Sequence, residues 1–220
     1  MTPPPARPAA VLFDCDGVVV DSEPATFELL AEDLAARGLV MTHAEMERRF
    51  LGGTIERCGR IAAELGADIP EGWVEGFYQA LYARLAAGTA LIPGVMAVFD
   101  ALDAARIPYA IGSNGTAHKM EVTLGQHPDL AARLGGHVYS GRDLGMLKPA
   151  PDLYLHAAAQ LGAPPAQCVV IEDSPTGARA ARAAGMRCLG FATPATEAAL
   201  RAEGAEPFAD MAALPGLLGL

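Results

Sequence analysis

Two carboxylates, Asp14 and Asp16, stand two residues apart where the apolar run Ala9-Ala10-Val11-Leu12-Phe13 ends. Side chains alternate along a strand, so a strand reaching this far would carry Asp14 and Asp16 to one side and Cys15 to the other. Gly17 then permits a turn that residues with a Cβ resist. Like charges at the tip of a buried strand hinder each other's ionisation unless a cation lies between them. The pair therefore suits a hard divalent cation. A carboxylate in such a place can also be a nucleophile that forms an acyl phosphate. An arbitrary Asp-x-Asp is more often a solvated strand end, and further segments are needed to change that balance.

Three such segments follow: Gly112-Ser113-Asn114-Gly115, Lys148-Pro149-Ala150-Pro151-Asp152 and Glu172-Asp173-Ser174-Pro175-Thr176-Gly177. The Ser113 hydroxyl and the backbone N–H groups after it can hold phosphate oxygens at a helix N-terminus. Lys148 is one of only two lysines in the chain, the other being Lys119. It supplies a point charge against carboxylates and phosphate. Glu172 and Asp173 add oxygens for Mg²⁺, a metal that keeps waters and binds phosphate oxygens. Taken singly, Ser113 reads as a helix cap, Lys148 as a solvated lysine and Glu172-Asp173-Ser174 as a cap that favours the helix dipole. Four segments in order, each at the end of its element, reverse those readings.

Strands are expected at 9–14, 107–112, 137–139, 168–172 and 187–191, alternating with helical patterns, which is the signature of a parallel α/β sheet. Val95, Val98, Leu102 and Ala105 form one apolar stripe, and Leu153, Leu155, Ala158 and Leu161 another. In an open parallel sheet the carboxyl ends of the strands share one crevice, so the four segments can converge there. Between Pro24 and Gly88 the pattern is helical only. Phe27, Leu30, Ala31 and Leu34 recur at helical spacing, then Ile55, Cys58, Ala62 and Leu65, then Trp73, Phe77, Ala80 and Leu81. The expected organisation is a flexible tail over 1–8, an α/β core from 9–22 and 89–220, and a helical insert over 23–88. Its hinges are at Gly17–Ser22 and Gly88–Gly94.

The chain has 220 residues, 51% of them apolar and 19% charged, with net charge −10. That balance argues against nucleic acid or an anionic membrane as a partner, and means that an anionic substrate must be caught by local positive charge. The proline-rich start, Met1 to Pro8, lacks a hydrophobic signal core, and no apolar run is long enough to span a bilayer. The four cysteines show no CxxC spacing and read as reduced thiols. A cytoplasmic monomer is expected.

The chain resembles the haloacid dehalogenase superfamily, in the branch with a helical cap inserted after the first strand. Asp14-Cys15-Asp16-Gly17-Val18 is similar to its first motif, Ser113-Asn114 to the second, Lys148-Pro149-Ala150-Pro151-Asp152 to the third and Glu172-Asp173-Ser174-Pro175-Thr176-Gly177 to the fourth. The likeness runs from Ala9 to Ala192 and is nearest to β-phosphoglucomutase-like and phosphosugar phosphatase-like members. It implies a Rossmann-like core and a phosphoaspartyl mechanism. Asp14 would be the nucleophile and Asp16 the general acid, then base. Ser113, Asn114 and Lys148 would bind the phosphoryl group. Mg²⁺ would be held by Asp14, the Asp16 backbone carbonyl and Asp173, with Glu172 a direct or outer-shell ligand.

Departures from the family's pattern narrow the activity. Gly177 stands where phosphoglycolate phosphatases tend to place another acid, which weakens that reading. The insert has no lysine, so relatives that form a Schiff base there are a poor match, and Asp16 supplies the acid that true dehalogenases lack. Arg48-Arg49-Phe50-Leu51-Gly52-Gly53-Thr54 resembles the cap loop of this branch. Gly52 and Gly53 would allow close approach, and Arg49 or Thr54 could read a sugar hydroxyl or second anion. A plain helix–helix turn fits the same residues equally well. The reading is a Mg²⁺-dependent phosphatase acting on a small phosphorylated metabolite, a sugar phosphate. The alternatives are a β-phosphoglucomutase-like isomerase and a signalling receiver module, the latter opposed by the long helical insert. Six arginines against ten acids leave −4 over residues 24–88, a poor clamp for two anionic ends, which favours water over a sugar as acceptor.

Overall fold

The computed structural model describes residues 7–50 and 54–220. The strands are β1 (Ala10–Phe13), β2 (Val20–Asp21), β3 (Ala90–Leu91), β4 (Tyr109–Ser113), β5 (Val138–Ser140), β6 (Cys168–Glu172), β7 (Arg187–Phe191) and β8 (Glu206–Phe208). Six of them form one sheet in the order β5-β4-β1-β6-β7-β8, and every neighbouring pair is parallel. The other two, β2 and β3, make a short antiparallel ladder.

β1 is apolar at every position because both of its faces are covered, as in parallel sheets generally. Val11 and Phe13 enter one apolar cluster, and Ala10 and Leu12 enter the other. On the first face the Phe13 ring lies 5.0 Å from that of Phe99, which lies 4.9 Å from that of Tyr109. Burying such a side chain fully contributes about 1.5–3 kcal/mol. The chain lays β4 and β5 on one side of β1 and β6, β7 and β8 on the other. That reversal of direction opens a crevice at the carboxyl ends of the central strands.

The chain divides into two compact units, one running up to Asp21 and resuming at Ala90, the other covering Ser22–Thr89. The second contains α1 (Glu23–Ala36), α2 (His43–Phe50), α3 (Ile55–Glu64) and α4 (Trp73–Ala86). Its interior is built from the expected stripes: Leu30 and Leu34, Cys58 and Ala62, Trp73, Phe77 and Leu81 are buried. Inside it the Trp73 indole donates to Asp33 at 2.6 Å, and Asp33 also accepts two bonds from Arg37. The first unit carries α5 (Val95–Ala105), α6 (Ala117–Leu124), α7 (Pro128–Leu134), α8 (Gly141–Leu144), α9 (Asp152–Gln160), α10 (Pro175–Ala183), α11 (Glu197–Ala202) and α12 (Leu214–Leu217).

Several expectations need correction. β8 went unread because Pro207 sits inside it; a proline is tolerated on an edge strand, where one side of the ladder is unpaired. Pro8, assigned to the flexible tail, is buried, and Ala9 N–H donates to Gln167 C=O at 2.8 Å. Arg48, Arg49 and Phe50 belong to a helix, not to a loop between helices. Its start is set by a reciprocal cap: Thr42 N–H donates to Glu45 Oε2 at 3.0 Å and Glu45 N–H to Thr42 Oγ1 at 3.3 Å. Gly52 and Gly53 lie outside the described residues.

Candidate active site

Register places the first two acids. Phe13 of β1 is level with Ile171 of β6, so Asp14 and Glu172, one residue further on, lie side by side. Asp14 N–H donates to Ile171 C=O at 2.9 Å. Alternation turns both side chains to the face occupied by Leu12, Val170 and Tyr154. Asp14 is 9% exposed and Glu172 fully buried.

Lys148 reaches the same point from the loop before α9. Its Nζ donates to Asp14 Oδ1 at 2.5 Å and to Glu172 Oε1 at 2.7 Å, and the same ammonium lies over the Tyr154 ring, 4.7 Å from the centroid. Asn114 fixes the lysine's backbone: Lys148 N–H donates to Asn114 Oδ1 at 2.9 Å, and Asn114 Nδ2 donates back to Lys148 C=O at 3.1 Å. The Lys148–Pro149 peptide is cis.

Glu172 accepts five hydrogen bonds. Lys148 and the Tyr154 hydroxyl (2.9 Å) share Oε1; the Asp173 and Ser174 N–H groups and the Ser174 hydroxyl share Oε2. A carboxylate offers about four lone-pair directions, so Glu172 is saturated by protein donors. It holds Lys148 in place more readily than it could hold a metal directly. Gly177 follows from this packing. A Cβ there would fall inside the Glu172 carboxylate, so no acid fits at 177 while Glu172 keeps this position.

Burial sets the electrostatics. The Asp14 carboxyl is pushed up to about 7, first by burial and then by Glu172 and Asp16, with Lys148 pulling the other way. For Glu172, burial is outweighed by the Lys148 charge and by donors from Lys148, Ser174 and Tyr154, and its carboxyl is held below the ordinary range. Lys148 is likewise desolvated, yet Asp14 and Glu172 hold its ammonium above the ordinary lysine value. Three carboxylates, on Asp14, Glu172 and Asp173, place oxygens within 4.8 Å of one another, and Lys148 bonds to the first two. Negative charge is in excess and all donors are hard oxygens, so the cluster fits a divalent cation. Asp173 is brought in over Gly17, whose φ of 77° is open to glycine and whose missing Cβ leaves the space that Asp173 Oδ2 fills.

Ser113 ends β4 and is 2% exposed. It does not cap α6; Thr116 does, accepting from Lys119 N–H at 3.1 Å. The Ser113 hydroxyl accepts from Gly115 N–H at 3.0 Å, and the loop is held from β5 by Ser140 Oγ donating to Gly115 C=O at 2.7 Å. Asn114 commits its side-chain carbonyl and one of its two amide hydrogens to Lys148.

Asp16 departs from the strand-alternation expectation. β1 stops at Phe13 and the chain turns at Gly17, and the two carboxylates pair with different lysines: Lys148 takes Asp14, and Lys119 Nζ donates to Asp16 Oδ1 at 2.7 Å. Lys119 and Tyr154 are the site residues the sequence reading missed. Lys119 could have been found as the only other lysine, one turn into the helix after Ser113. Tyr154 was masked because the stripe was drawn through Leu155, whereas the buried face of α9 is Leu153, Tyr154, Ala157 and Ala158. In the helical unit, Thr54 is the N-cap of α3, accepting from Arg57 N–H at 3.3 Å, and Arg49 is exposed on the last turn of α2.

Fold and site together define an α/β protein whose carboxylates, lysine and serine meet at the switch point of a parallel sheet. The model of the haloacid dehalogenase-like hydrolases matches residues 8–185, and the chain belongs to that family. It is 30% identical over 188 residues to the 6-phosphogluconate phosphatase of Escherichia coli, covering 84% of this chain and 83% of that one. It is 31% identical over 206 residues to the chloroplastic protein SUPPRESSOR OF QUENCHING 1 of Arabidopsis thaliana; the match takes in 89% of this chain and only 19% of that much longer one. A solved hydrolase of the same family from Deinococcus radiodurans, with phosphate and sodium bound, superposes with a TM-score of 0.81 at 34% identity, over 97% of this chain and 98% of that one.

Proposed function

We propose that this hydrolase is a Mg²⁺-dependent phosphatase that releases phosphate from a small phosphorylated metabolite, a sugar phosphate, by way of a phosphoaspartyl intermediate on Asp14. The observation that carries the reading is the buried Lys148 ammonium bonded to both Asp14 and Glu172 beside Ser113 at the ends of adjoining strands. Two of the three Lys148 donors go to those carboxylates. The third, with the Ser113 hydroxyl and the Asn114 main-chain N–H, donates to phosphoryl oxygens. A carboxylate oxygen of Asp14 bonds to phosphorus as the bond from phosphorus to the substrate oxygen breaks. Asp16 gives its proton to the departing alkoxide. The same carboxylate then takes a proton from water, which attacks the phosphoaspartate and frees Asp14.

Mg²⁺ would be held by Asp14, Asp173 and the Asp16 carbonyl and would offset charge on the phosphoryl oxygens. Glu172 serves from behind by fixing Lys148. The 6-phosphogluconate phosphatase relative supports a sugar-phosphate substrate. The net charge of −4 over residues 24–88 supports water as the acceptor. By the family resemblance, the helical unit acts as a cap that selects the substrate, with Arg49 in the selecting set. Among the described residues no helix is long and apolar enough to cross a membrane. A monomeric cytoplasmic enzyme is part of the same proposal.

The test is a panel of phosphorylated metabolites, including β-glucose 1-phosphate with a trace of the 1,6-bisphosphate, read for free phosphate with Mg²⁺ and in excess chelator. Phosphate release that requires Mg²⁺, and that Asp14→Asn reduces to below about a tenth of wild-type kcat, a loss above roughly 1.4 kcal/mol, is expected. Conversion of glucose 1-phosphate to glucose 6-phosphate with negligible phosphate release would establish the mutase instead. Full activity in chelator would remove the metal from the scheme.

A further inference from the structure

The four strand-end motifs account for Lys148 but leave the chain's other lysine without a task. Lys119 is 103 residues from Asp16 in sequence, yet its Nζ donates to Asp16 Oδ1 at 2.7 Å. Its backbone is fixed at the third residue of α6 by the Thr116 cap. Its stem runs past Gly115: a Cβ on Gly115 would lie 3.2 Å from Ser113 Oγ, 3.6 Å from Lys119 Cδ and 3.8 Å from Asp16 Oδ2. Lys119, Ser113 and Asp16 therefore meet around one point where a side chain is missing. The pair is partly open, 16% exposed at Lys119 and 29% at Asp16. Desolvation of both partners offsets much of what such a half-buried ion pair gives to folding.

Orientation is the benefit that remains. Asp16 lies beyond the last residue of β1, past the point where strand alternation would direct its side chain. A general acid must come within hydrogen-bond reach of the oxygen it protonates, and a misplacement of about 1 Å can lower a rate on the order of a hundredfold. A cation on Oδ1 removes most of the freedom of the carboxyl group.

We propose that Lys119 is a positioning residue for Asp16: by gripping Oδ1 it aims the carboxyl group, with its transferable proton on Oδ2, at the leaving-group oxygen. This rests on the reading of Asp16 as the general acid given above. In the step concerned, the Asp14 oxygen–phosphorus bond forms, the phosphorus–alkoxide bond breaks with its electron pair going to the alkoxide oxygen, and that oxygen takes the proton from Asp16 Oδ2. Lys119 gives up nothing; it remains bonded to Oδ1 throughout.

The test uses Lys119→Met, which keeps the length of the stem, and Lys119→Arg, which keeps the charge. Each is compared with wild type and Asp16→Asn on the best sugar phosphate of the panel and on p-nitrophenyl phosphate, whose leaving group departs without a proton. The quantity read is kcat/KM, which reports events up to the first irreversible step. Lys119→Met should lower kcat/KM at least tenfold on the sugar phosphate and less than threefold on p-nitrophenyl phosphate, chiefly through kcat, and Lys119→Arg should restore most of the loss. Circular dichroism establishes that each variant is folded.

Equal losses on both substrates would make the lysine structural and overturn the inference. A loss confined to KM would make it a binding residue, and no loss would make the ion pair idle; either result refutes it too. If Asp16→Asn discriminates between the substrates and Lys119→Met does not, this inference alone fails. If Asp16→Asn shows no discrimination, the general-acid reading fails and the inference falls with it.

Discussion

Replacing Lys148 with methionine keeps most of the side chain's length and deletes the ammonium that is set between two buried carboxylates and over the Tyr154 ring. The side chains of Lys148, Asp14 and Glu172 are 3%, 12% and 1% exposed, so water is a poor substitute for the lost partner. Removing one member of a buried charge pair costs about 3–5 kcal/mol, because the charge left behind is uncompensated. For a chain of this size each kcal/mol moves the melting temperature by roughly 2–4 °C, so Lys148→Met should melt about 6–20 °C lower in chelator.

The loss has a direction in pH. The Asp14 carboxyl already stands at about 7 with Lys148 in place, and Lys148 is the strongest influence holding it down. Without the lysine it rises further. An acid whose folded pKa is raised retains its proton at low pH, leaving no charge to compensate, and loses stability as pH climbs through the folded value. The deficit should therefore be larger at pH 8 than at pH 5.5. Saturating Mg²⁺ should shrink it by supplying positive charge to the same carboxylates. Glu172→Gln on top of Lys148→Met should destabilise by less than the two changes summed, with a coupling of about 0.5–3 kcal/mol. Thermal denaturation followed by circular dichroism reads all of this. A melting shift under about 3 °C in chelator at pH 8, or strict additivity in the double variant, would refute the reasoning.

Other changes probe the same packing. Gly177→Ala forces the Glu172 carboxylate aside and should cost about 1–3 kcal/mol as overpacking, with lowered kcat because Lys148 loses its anchor; a wild-type melting curve would place Glu172 elsewhere. Burial pushes the Cys58 thiol up to about 11 and the Cys188 thiol up to about 12, from a usual 9.0. Both should resist iodoacetamide at pH 8, and the folded state should lose stability as pH rises above 9, where unfolded thiols ionise and folded ones do not; rapid labelling of native protein at pH 8 would contradict this. Thr54→Ala should cost about 0.5–2 kcal/mol through loss of the α3 cap, measured by denaturation. Arg49→Ala should instead alter substrate preference on the metabolite panel; a uniform effect across substrates would remove it from the selecting set.

The sequence by itself was enough for the parallel sheet, the helical insert and the four motif segments. These rest on local rules: a doubly covered strand must be apolar along its run, as Ala10–Phe13 is and as β6 is up to Ile171, and polar groups crowd at strand ends where the apolar run stops. It also showed two lysines among many acids. Only the tertiary structure decided how those charges are shared. The partners Asp14–Lys148 and Asp16–Lys119 are 134 and 103 residues apart, and no local pattern assigns one lysine to one acid. That choice depends on strand register, which sets Asp14 level with Glu172, and on where β1 stops, which sends Asp16 to a different helix. Tyr154 and Gly177 were decided the same way. Their roles come from the volume and the hydrogen-bond capacity of one buried carboxylate, Glu172, and packing of that kind exists only once the elements have met.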